Sequence, residues 1–229
     1  MKKSILARNI ILMDCLDIIA RDCKKKNIDL IVLKGGALLL KGVFNINARE
    51  MTDVDILLKE EDEKNFKEVL KAHEFLEMPN SSDAYFKMIG ENAPPLIIDI
   101  HLKLLHVKDI ETVWTSKLSS PKKKNPNLLT MSDEDNFLHL IAHNLLHHGG
   151  FPDKAKEDLI RFLIEIKKIK KTKTFFRKAA AKSKECNLNS LVFYPLKEVF
   201  KLRSDLLAEE NLSLFRPGGT GKIKAIFFK

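Results

Sequence analysis

Cysteine and long apolar runs are both scarce in this chain of 229 residues. Its three cysteines, Cys15, Cys23 and Cys186, are odd in number and have no paired spacing. Such a set argues against a disulfide framework or a zinc site built on thiolates, and it favours a reducing compartment. No apolar run approaches the ~20 residues that a helix needs to cross a bilayer. We therefore expect a cytoplasmic protein with no membrane partner.

Arginine is also scarce, although the chain is basic. The formal net charge is +9, yet only seven of the 40 basic residues are arginine. Because the planar guanidinium is the group best suited to bidentate phosphate contacts, the bias toward lysine weakens the argument for a nucleic-acid partner. The densest basic segment, residues 167–184, is interpreted as a solvated helix face, with a phosphate-binding surface as the alternative. RNA is therefore an alternative partner rather than the expected one.

The hydropathy pattern changes character near residue 120. Before this point buried strands alternate with amphipathic helices, whereas the part after residue 128 has a helical period almost throughout. Residues 121–127 are polar and bounded by prolines, so we interpret them as a linker. The predicted fold class is α+β. A small mixed sheet with flanking helices is expected at residues 1–120 and a helical bundle at residues 128–229.

The first part is predicted to contain short strands and helices around a pair of glycines. The helices are expected at residues 4–25 and 60–73, with a short one starting at Ala37, and the strands at residues 30–33, 54–58, 85–88 and 96–100. Gly35 and Gly36 are expected to form a tight turn after the first of these strands.

The second part is predicted to be a series of helices. Ser132 is a good N-cap, and the helix that follows it is expected to stop at Gly149. Further helices are expected at residues 154–170, 173–186 and 189–208.

Acidic side chains occur at alternate positions on two of the predicted strands. One apolar residue separates Asp53 from Asp55, and one separates Asp99 from His101. Since side chains alternate between the two faces of a strand, each pair projects from one face. Three carboxylates brought together carry an unfavourable like charge, which a divalent cation such as Mg²⁺ compensates through oxygen ligands. The competing interpretation places Asp53 and Asp55 at solvent-facing positions of an ordinary strand.

A phosphate-binding turn is the second candidate element. A strand that ends in Gly35-Gly36 and opens a helix exposes backbone N–H groups to phosphate oxygens, and glycine allows a ligand to approach closely. This signal is weak alone, because a Gly-Gly pair is more often only a turn. Beside the carboxylates it predicts metal-assisted phosphoryl or nucleotidyl transfer, in which two cations hold a triphosphate.

Three segments in this order carry a resemblance to a known superfamily. They are LKGGA at residues 33–37, REMTDVDILL at residues 49–58 and IIDIH at residues 97–101. The order of strand, Gly-Gly turn, helix, Asp-x-Asp and third Asp resembles the DNA polymerase β-like nucleotidyltransferase superfamily. More narrowly, the segments look like the uncharacterised bacterial nucleotidyltransferase family that carries a Lys-Gly turn. The resemblance covers most of residues 30–165.

This resemblance implies roles for the acidic residues and the glycines. Asp53 and Asp55 would be the metal-ligating pair, with Mg²⁺ or Mn²⁺ as the cofactor. Asp99 would be the third carboxylate, which ligates a metal or deprotonates the acceptor. Gly35 and Gly36 would form the turn that binds the triphosphate of an NTP.

Four further residues are candidates for nucleotide contacts. Many superfamily members have a serine at the position of Gly36, and the resemblance implies that Lys34 or Arg49 supplies the missing donor. The alternatives are a plain ion pair for Arg49 and a snorkelling side chain for Lys34. His101 is expected to contact substrate or to orient a ligand carboxylate. His143 is expected to contact nucleotide.

His143 belongs to a row of histidines on one predicted helix. His139, His143 and His147 recur every four residues and therefore share a helix face, with His148 adjacent. A polar face that contacts the nucleotide is the favoured interpretation. An ordinary surface is one alternative, and a zinc site is the other, although three histidines in a row on one helix do not complete a tetrahedral set.

These observations together predict an enzyme that transfers a nucleoside monophosphate from an NTP to an acceptor hydroxyl with Mg²⁺. The acceptor is a small molecule, a protein or RNA, and no motif identifies it. One alternative is a nucleotidyltransferase toxin of a toxin–antitoxin pair that acts on tRNA, because Gly-Gly-x-x-Leu followed by Arg and Asp-x-Asp also resembles such toxins. Another alternative is a catalytically inactive module that binds nucleotide or RNA through its lysine-rich helices.

Overall fold

The computed structural model describes residues 2–91, 93–104, 106–119, 128–169 and 172–217. The predicted linker at residues 121–127 lies outside these residues. The chain divides into two compact units, the first made of Met1–Leu104 and Trp114–Met131 and the second of Leu105–Val113 and Ser132–Lys229. In the described part of the chain, no helix combines the length and the apolar character required to pass through a bilayer.

A mixed sheet of seven strands forms the framework of the first unit. The strands are β1 (Leu30–Val32), β2 (Val54–Leu57), β3 (Leu76–Glu77), β4 (Ala84–Lys87), β5 (Leu96–His101), β6 (Leu118–Ser119) and β7 (Leu128–Thr130). Their order across the sheet is β3-β4-β5-β2-β1-β7-β6. The pairs β2–β5 and β1–β7 are parallel, and the other neighbours are antiparallel. The two predicted acidic strands, β2 and β5, are therefore direct neighbours near the centre of the sheet.

Amphipathic helices supply much of the core of this unit. The helices are α1 (Lys2–Lys25), α2 (Lys34–Leu40) and α3 (Glu63–Ala72), and a 3-10 turn at Glu60–Asp62 leads into α3. Helix α1 buries Leu12, Leu16, Ile19 and Cys23, which lie at helical spacing, in one apolar cluster with residues of β1, β2 and β5. The predicted helices and central strands, and with them the α+β class, are confirmed.

The two glycines differ from their predicted setting. Gly35 and Gly36 lie inside the first turn of α2 rather than in a turn before it. Leu33 has extended backbone, and Lys34 takes the left-handed conformation with φ +48°. Because Lys34 makes the change of direction, the helix has already begun when the chain reaches the glycines.

Several short elements were not predicted from the sequence. Strands β3, β6 and β7 have two or three residues each, and the helix α4 (Glu111–Thr115) has five. Segments of this length are too short to show a period of 2 or 3.6 residues. Strand β7 pairs in parallel with β1, a contact between distant parts of the chain, and antiparallel with β6.

The second unit is helical, as predicted for the C-terminal part of the chain, although residues 128–130 form a strand of the sheet and residues 105–113 belong to the second unit. Its main helices are α5 (Asp133–His147), α6 (Asp153–Lys168), α7 (Thr172–Glu185), α8 (Asn189–Leu202) and α9 (Glu209–Ser213). The Ser132 hydroxyl accepts a hydrogen bond from the backbone N–H of Asp135, which confirms the predicted N-cap of α5. The predicted extension of α8 to residue 208 is wrong. Helix α8 ends because Arg203 leaves the helical region, with φ −146° and ψ 66°, and pairs with Asp205.

Phenylalanine dominates the core of the second unit. The ring of Phe137 on α5 lies 5.4 Å from that of Phe175 and 6.1 Å from that of Phe176, both on α7. The ring of Phe215 is 6.0 Å from it. Phe137 and Phe176 are fully buried. Since rings packed edge to face are favoured beyond the area they bury, this cluster holds α5 and α7 together.

Candidate active site

Asp55 and Asp99 are paired across neighbouring parallel strands. Asp55 of β2 lies opposite Asp99 of β5 in the register of the two strands. Residues paired in this way project from the same face of a sheet. Asp53 comes two residues before Asp55, immediately before β2 begins. The strand pairing therefore puts Asp55 and Asp99 on one side of the sheet, with Asp53 in the segment that leads into β2.

Asp55 is buried and has two cationic or polar partners. Its side chain is only 5% exposed, so it is not a solvent-facing residue. The Nζ atom of Lys34 lies 2.6 Å and the Nε2 atom of His101 2.8 Å from the same Oδ1 atom. Burial raises the pKa of Asp55, but the hydrogen bond from His101 and the charge of Lys34 outweigh burial, so the pKa lies below its usual value. Lys34 and His101 thus hold Asp55 as a carboxylate.

Asp99 has the opposite electrostatic setting. Burial raises its pKa, and the negative charges of Asp55 and Asp53 raise it further. His101 and Lys34 oppose this effect only in part. The negative charges of Asp53 and Asp55 therefore reach Asp99, and their repulsion favours the protonated form of its carboxyl group.

Arg49 covers the first of the two glycines. A Cβ atom at Gly35 would clash with Nη1 of Arg49 and lie 2.8 Å from its Cζ atom. The guanidinium is also 5.9 Å from the ring centroid of Phe44, a cation–π distance. A side chain at position 35 would push the guanidinium away, so glycine is required for Arg49 to lie beside the start of α2.

Gly36 has a different reason to be glycine. A Cβ atom there would lie 2.6 Å from Cγ1 of Val32 and 3.6 Å from Cγ1 of Val54, both in the core. Glycine at this position lets α2 pack closely on β1 and β2. The backbone N–H of Leu33 also donates to the carbonyl of Asp55 at 2.9 Å, which joins the start of α2 to the acidic strand.

Two polar residues of α1 that we did not predict position the strands of the site. The guanidinium of Arg8 donates to the carbonyls of Met51 at 2.9 Å and Thr52 at 2.9 Å, just before Asp53. It also donates to the carbonyls of Pro94 at 3.2 Å and Pro95 at 3.0 Å, just before β5. One side chain therefore connects the segments that lead into both acidic strands.

Asn9 plays a similar part in the segment that contains Arg49. Its Nδ2 atom donates to the carbonyls of Ile46 at 2.6 Å and Arg49 at 2.7 Å. Its Oδ1 atom accepts from the backbone N–H of Met51 at 3.3 Å. Asn9 is 1% exposed. Asn9 could have been identified in the sequence as a polar residue at helical spacing from Leu12, on the apolar face of α1.

The predicted histidine contacts fall in two places. His101 joins the carboxylates through Asp55, as described above. His143 lies in the second unit on α5, where the ring centroid of His147 is 5.0 Å and that of His139 is 5.5 Å away. His139 is buried and its ring is 5.1 Å from that of His106. His143 therefore packs against other histidines, and its contact with nucleotide stays a prediction.

The donor set on the sheet fits a hard divalent cation. Carboxylate oxygens are the ligands that Mg²⁺ and Mn²⁺ prefer; Asp55 and Asp99 offer them from one face of the sheet, and Asp53 lies next to the start of β2. The ammonium of Lys34 lies where it neutralises Asp55, so a cation that binds this oxygen has to replace Lys34. The residues present fit a magnesium or manganese site once Lys34 has moved and the three carboxylates have drawn together, because their oxygens do not all lie within 4.8 Å of one another.

Comparison with known proteins agrees with the fold described above. Two solved structures are similar to this chain in fold. The antibiotic-resistance factor ANT(2'')-Ia superposes with a TM-score of 0.50 at 12% identity, covering 70% of this chain and 85% of that one. An antigenic nucleotidyltransferase-like protein from Paracoccidioides brasiliensis gives a TM-score of 0.51 at 15% identity, with coverage of 89% and 92%. At these identities the likeness concerns the fold.

The family follows from the sequence itself. Residues 2–200 match the family described as uncharacterised nucleotidyltransferase, and the chain belongs to this family. The predicted family resemblance is thereby confirmed. A comparison with curated protein sequences gives no significant match.

Proposed function

We propose that this protein is a Mg²⁺- or Mn²⁺-dependent enzyme that transfers a nucleoside monophosphate from an NTP to an acceptor hydroxyl. The observation that carries the proposal is the pairing of Asp55 with Asp99 on adjacent parallel strands, with Asp53 two residues earlier. The family and the fold of the two neighbours support the reaction class. The free state of Cys15, Cys23 and Cys186 supports a location in the reducing cytoplasm.

Each carboxylate has a distinct part in the proposed reaction. Asp53 and Asp55 hold the divalent cation, which when bound stabilises negative charge on the triphosphate and on the departing pyrophosphate. Asp99 ligates the same ion or accepts the proton of the acceptor hydroxyl. The hydroxyl oxygen bonds to the α-phosphorus, and the bond from this phosphorus to the bridging oxygen breaks. The products are the nucleotidylated acceptor and pyrophosphate.

Lys34 and Arg49 supply the proposed contacts to the triphosphate. Lys34 stands at the start of α2, where its ammonium lies 2.6 Å from Asp55. Transfer of the ammonium from Asp55 to a phosphate oxygen releases the carboxylate for the cation and keeps the lysine paired. The Arg49 guanidinium beside Gly35 offers planar donors for a second phosphate contact. His101 stays on Asp55 and orients it.

Incubation with labelled nucleotides tests the reaction. The full chain is mixed with magnesium, a cell extract and each of the four α-labelled NTPs in turn, and the labelled product is identified. We expect label in one acceptor with the wild type and none with the Asp53→Asn, Asp55→Asn double variant. Asp14→Asn, which changes an exposed carboxylate on α1, is the matched control and should label as the wild type does. An equal label with the double variant would refute the proposal.

The identity of the labelled molecule decides between the acceptor classes. Label in tRNA, with growth arrest on expression that requires Asp55, favours the toxin alternative. Label in a small molecule or a protein excludes that alternative. Because one structural neighbour is an antibiotic-resistance factor, hydroxyl-bearing antibiotics belong among the small molecules added. RNA binding without turnover would replace the proposed enzyme by a binding module.

A further inference from the structure

Three histidines meet at the C-terminal end of α5, in the second unit. His143 and His147 lie one turn apart on the helix, and His148 is the residue that caps it. One ring nitrogen from each side chain can be chosen so that all three lie within 4.8 Å of one another. Among the described residues, no other set of three or more histidine, cysteine or acidic side chains brings its ligand atoms so close together.

The rings are arranged as a compact cluster rather than a row. The rings of His143 and His147 are stacked, with centroids 5.0 Å apart and planes at 15°. The ring of His148 lies edge-on to both, with centroids 5.0 Å from His143 and 4.9 Å from His147. The i, i+4 pair is a spacing at which two imidazoles on one helix hold a metal. His148 adds a third nitrogen from outside the helix.

A small side-chain movement converts this cluster into a coordination sphere. Zinc–nitrogen bonds of ~2.0–2.1 Å place ligand nitrogens about 3.4 Å apart in a tetrahedral site. His147 and His148 are exposed, so rotation about their side-chain bonds is free of core packing. Two of the three ligands can therefore adjust to the third, His143, which is half-buried.

The position at a helix end also favours a cation. The last carbonyls of a helix lack partners within the helix and carry a partial negative charge. Here the backbone N–H groups of His148 and Gly150 both donate to the carbonyl of Asn144, so the chain turns tightly around this end. A cation held by the three rings would lie near the negative end of α5.

We propose that His143, His147 and His148 form a binding site for a divalent transition-metal ion of the zinc class. Imidazole nitrogen suits zinc, nickel, cobalt and copper, whereas Mg²⁺ prefers oxygen. The three rings leave a fourth position for water or another ligand. By joining His148 to α5, the metal fastens the end of the helix to the segment that follows it. This site is chemically distinct from the carboxylates of the first unit and does not depend on the proposed nucleotidyl transfer.

Zinc titration of the chelator-stripped full chain tests the site. Isothermal titration is run with zinc chloride in millimolar magnesium chloride, because excess Mg²⁺ occupies the carboxylates without competing for imidazole. We expect one zinc ion per chain in the wild type. His147→Gln and His148→Gln should each weaken binding by more than about tenfold, since each removes one of three nitrogen ligands. Both residues are exposed, so the variants keep the fold.

Two controls separate this site from other sources of zinc binding. His73→Gln changes a histidine of the first unit that pairs with Asp22, and it should bind zinc as the wild type does. The Asp53→Asn, Asp55→Asn double variant should also keep its zinc. The proposal would be overturned if the His147→Gln, His148→Gln double variant bound zinc as the wild type does. It would also be overturned if the Asp53→Asn, Asp55→Asn double variant lost its zinc. Absence of wild-type binding at micromolar zinc would overturn it as well.

Thermal denaturation gives a second readout. A ligand that binds only the folded state raises the melting temperature. Zinc should therefore raise the melting temperature of the wild type and leave that of the His147→Gln, His148→Gln variant unchanged. An equal rise in both proteins would place the bound zinc elsewhere and refute the assignment.

Discussion

Gly35 and Gly36 are neighbours, yet a methyl group at each position meets a different kind of obstacle. At Gly35 the new Cβ meets the end of the flexible Arg49 side chain, whereas at Gly36 it meets Cγ1 of the core residue Val32. Alanine is favoured over glycine inside a helix by about 0.5–1 kcal/mol. We expect Gly35→Ala to keep its stability and to lower nucleotide turnover by about tenfold, because Arg49 is displaced.

Gly36→Ala is expected to act on stability instead. Overpacking against Val32 should lower the free energy of unfolding by about 1–3 kcal/mol. Urea denaturation and turnover assays on both variants separate the two effects. A Gly35→Ala protein that is as unstable as Gly36→Ala would contradict the contacts described for Arg49.

His106 carries a prediction about pH. This residue is 7% exposed, and burial lowers its pKa to about 4, opposed only in part by the charge of Asp135. With an unfolded pKa of about 6.5, the unfolded chain binds more protons than the folded one between these two values. Stability therefore rises with pH across this interval. The contribution is complete above pH ~6.5 and is lost as the pH falls toward ~4, by up to about 3 kcal/mol.

Urea unfolding at a series of pH values measures this effect. The free energy of unfolding of the wild type is compared with that of His106→Gln, which is neutral at every pH. Carboxylates titrate in the same way in both proteins, so the difference between the two profiles isolates His106. If the free energies of unfolding of the two proteins changed in parallel from about pH 7 to about pH 4, the prediction would be wrong.

At the scale of elements, α1 connects to both acidic strands through one side chain. Arg8 donates to four carbonyls in the segments that precede Asp53 and β5. We expect Arg8→Met to lower the free energy of unfolding by about 1.5–3 kcal/mol, the range for hydrogen bonds to a charged group. Turnover should fall as well, because Asp53 and Asp99 lose their common anchor.

Arg21→Met provides the matched comparison on the same helix. Arg21 is exposed, and its contact with Asp17 is 3.9 Å long, so its removal should change stability by less than about 0.5 kcal/mol. Urea denaturation and nucleotide turnover are measured for both variants. Equal effects of the two substitutions would mean that Arg8 affects stability and turnover only through its charge and not through its hydrogen bonds to the four carbonyls.

Elements with a clear period were predictable, and those formed by distant contacts were not. Helix α3 and strand β5 have patterns that one periodicity explains, and Ser132 carries its own capping signal. Strand β7 has three residues and is held by its pairing with β1 and β6. The start of α2 was placed too late because the left-handed conformation of Lys34 has no sequence signal of its own.

The same distinction applies to the candidate site. Alternation along one strand predicted that Asp99 and His101 share a face, and the strand register adds that Asp55 joins them. The contacts of Arg8 and Asn9 join residues about 40 or more positions apart, which no local pattern indicates. The part of His148 in the histidine cluster depends on the way the chain turns after α5.

At the scale of the whole molecule, the densest described part of the excess positive charge lies on the solvated face of α7. Helix α7 buries Phe175, Phe176 and Ala179 and exposes Lys173, Lys178 and Lys184, which agrees with the interpretation of this segment as a solvated face; Lys182 is half-buried beside Asp135. Several basic residues of this segment also face acids. The pairs are Lys167–Asp205, Lys168–Glu165, Lys173–Glu210 and Lys182–Asp135.

This distribution of charge predicts a weak role for the lysines in the reaction. The triple variant Lys173→Gln, Lys178→Gln, Lys184→Gln removes three exposed charges of α7. We expect it to change nucleotide labelling by less than about twofold at physiological salt, where exposed charges are screened. A large loss of labelling that grows as salt is lowered would instead support RNA recognition through this face.

The register between β2 and β5 limits how this sequence can vary in length. Asp55 faces Asp99 because the hydrogen-bonded register of β2 and β5 pairs these two positions. An insertion or deletion of one residue within β5 would bring Ile98 or Ile100 opposite Asp55 and turn the acidic position toward the other face. Related chains can therefore exchange side chains along these strands, whereas changes of length have to fall in the connecting loops.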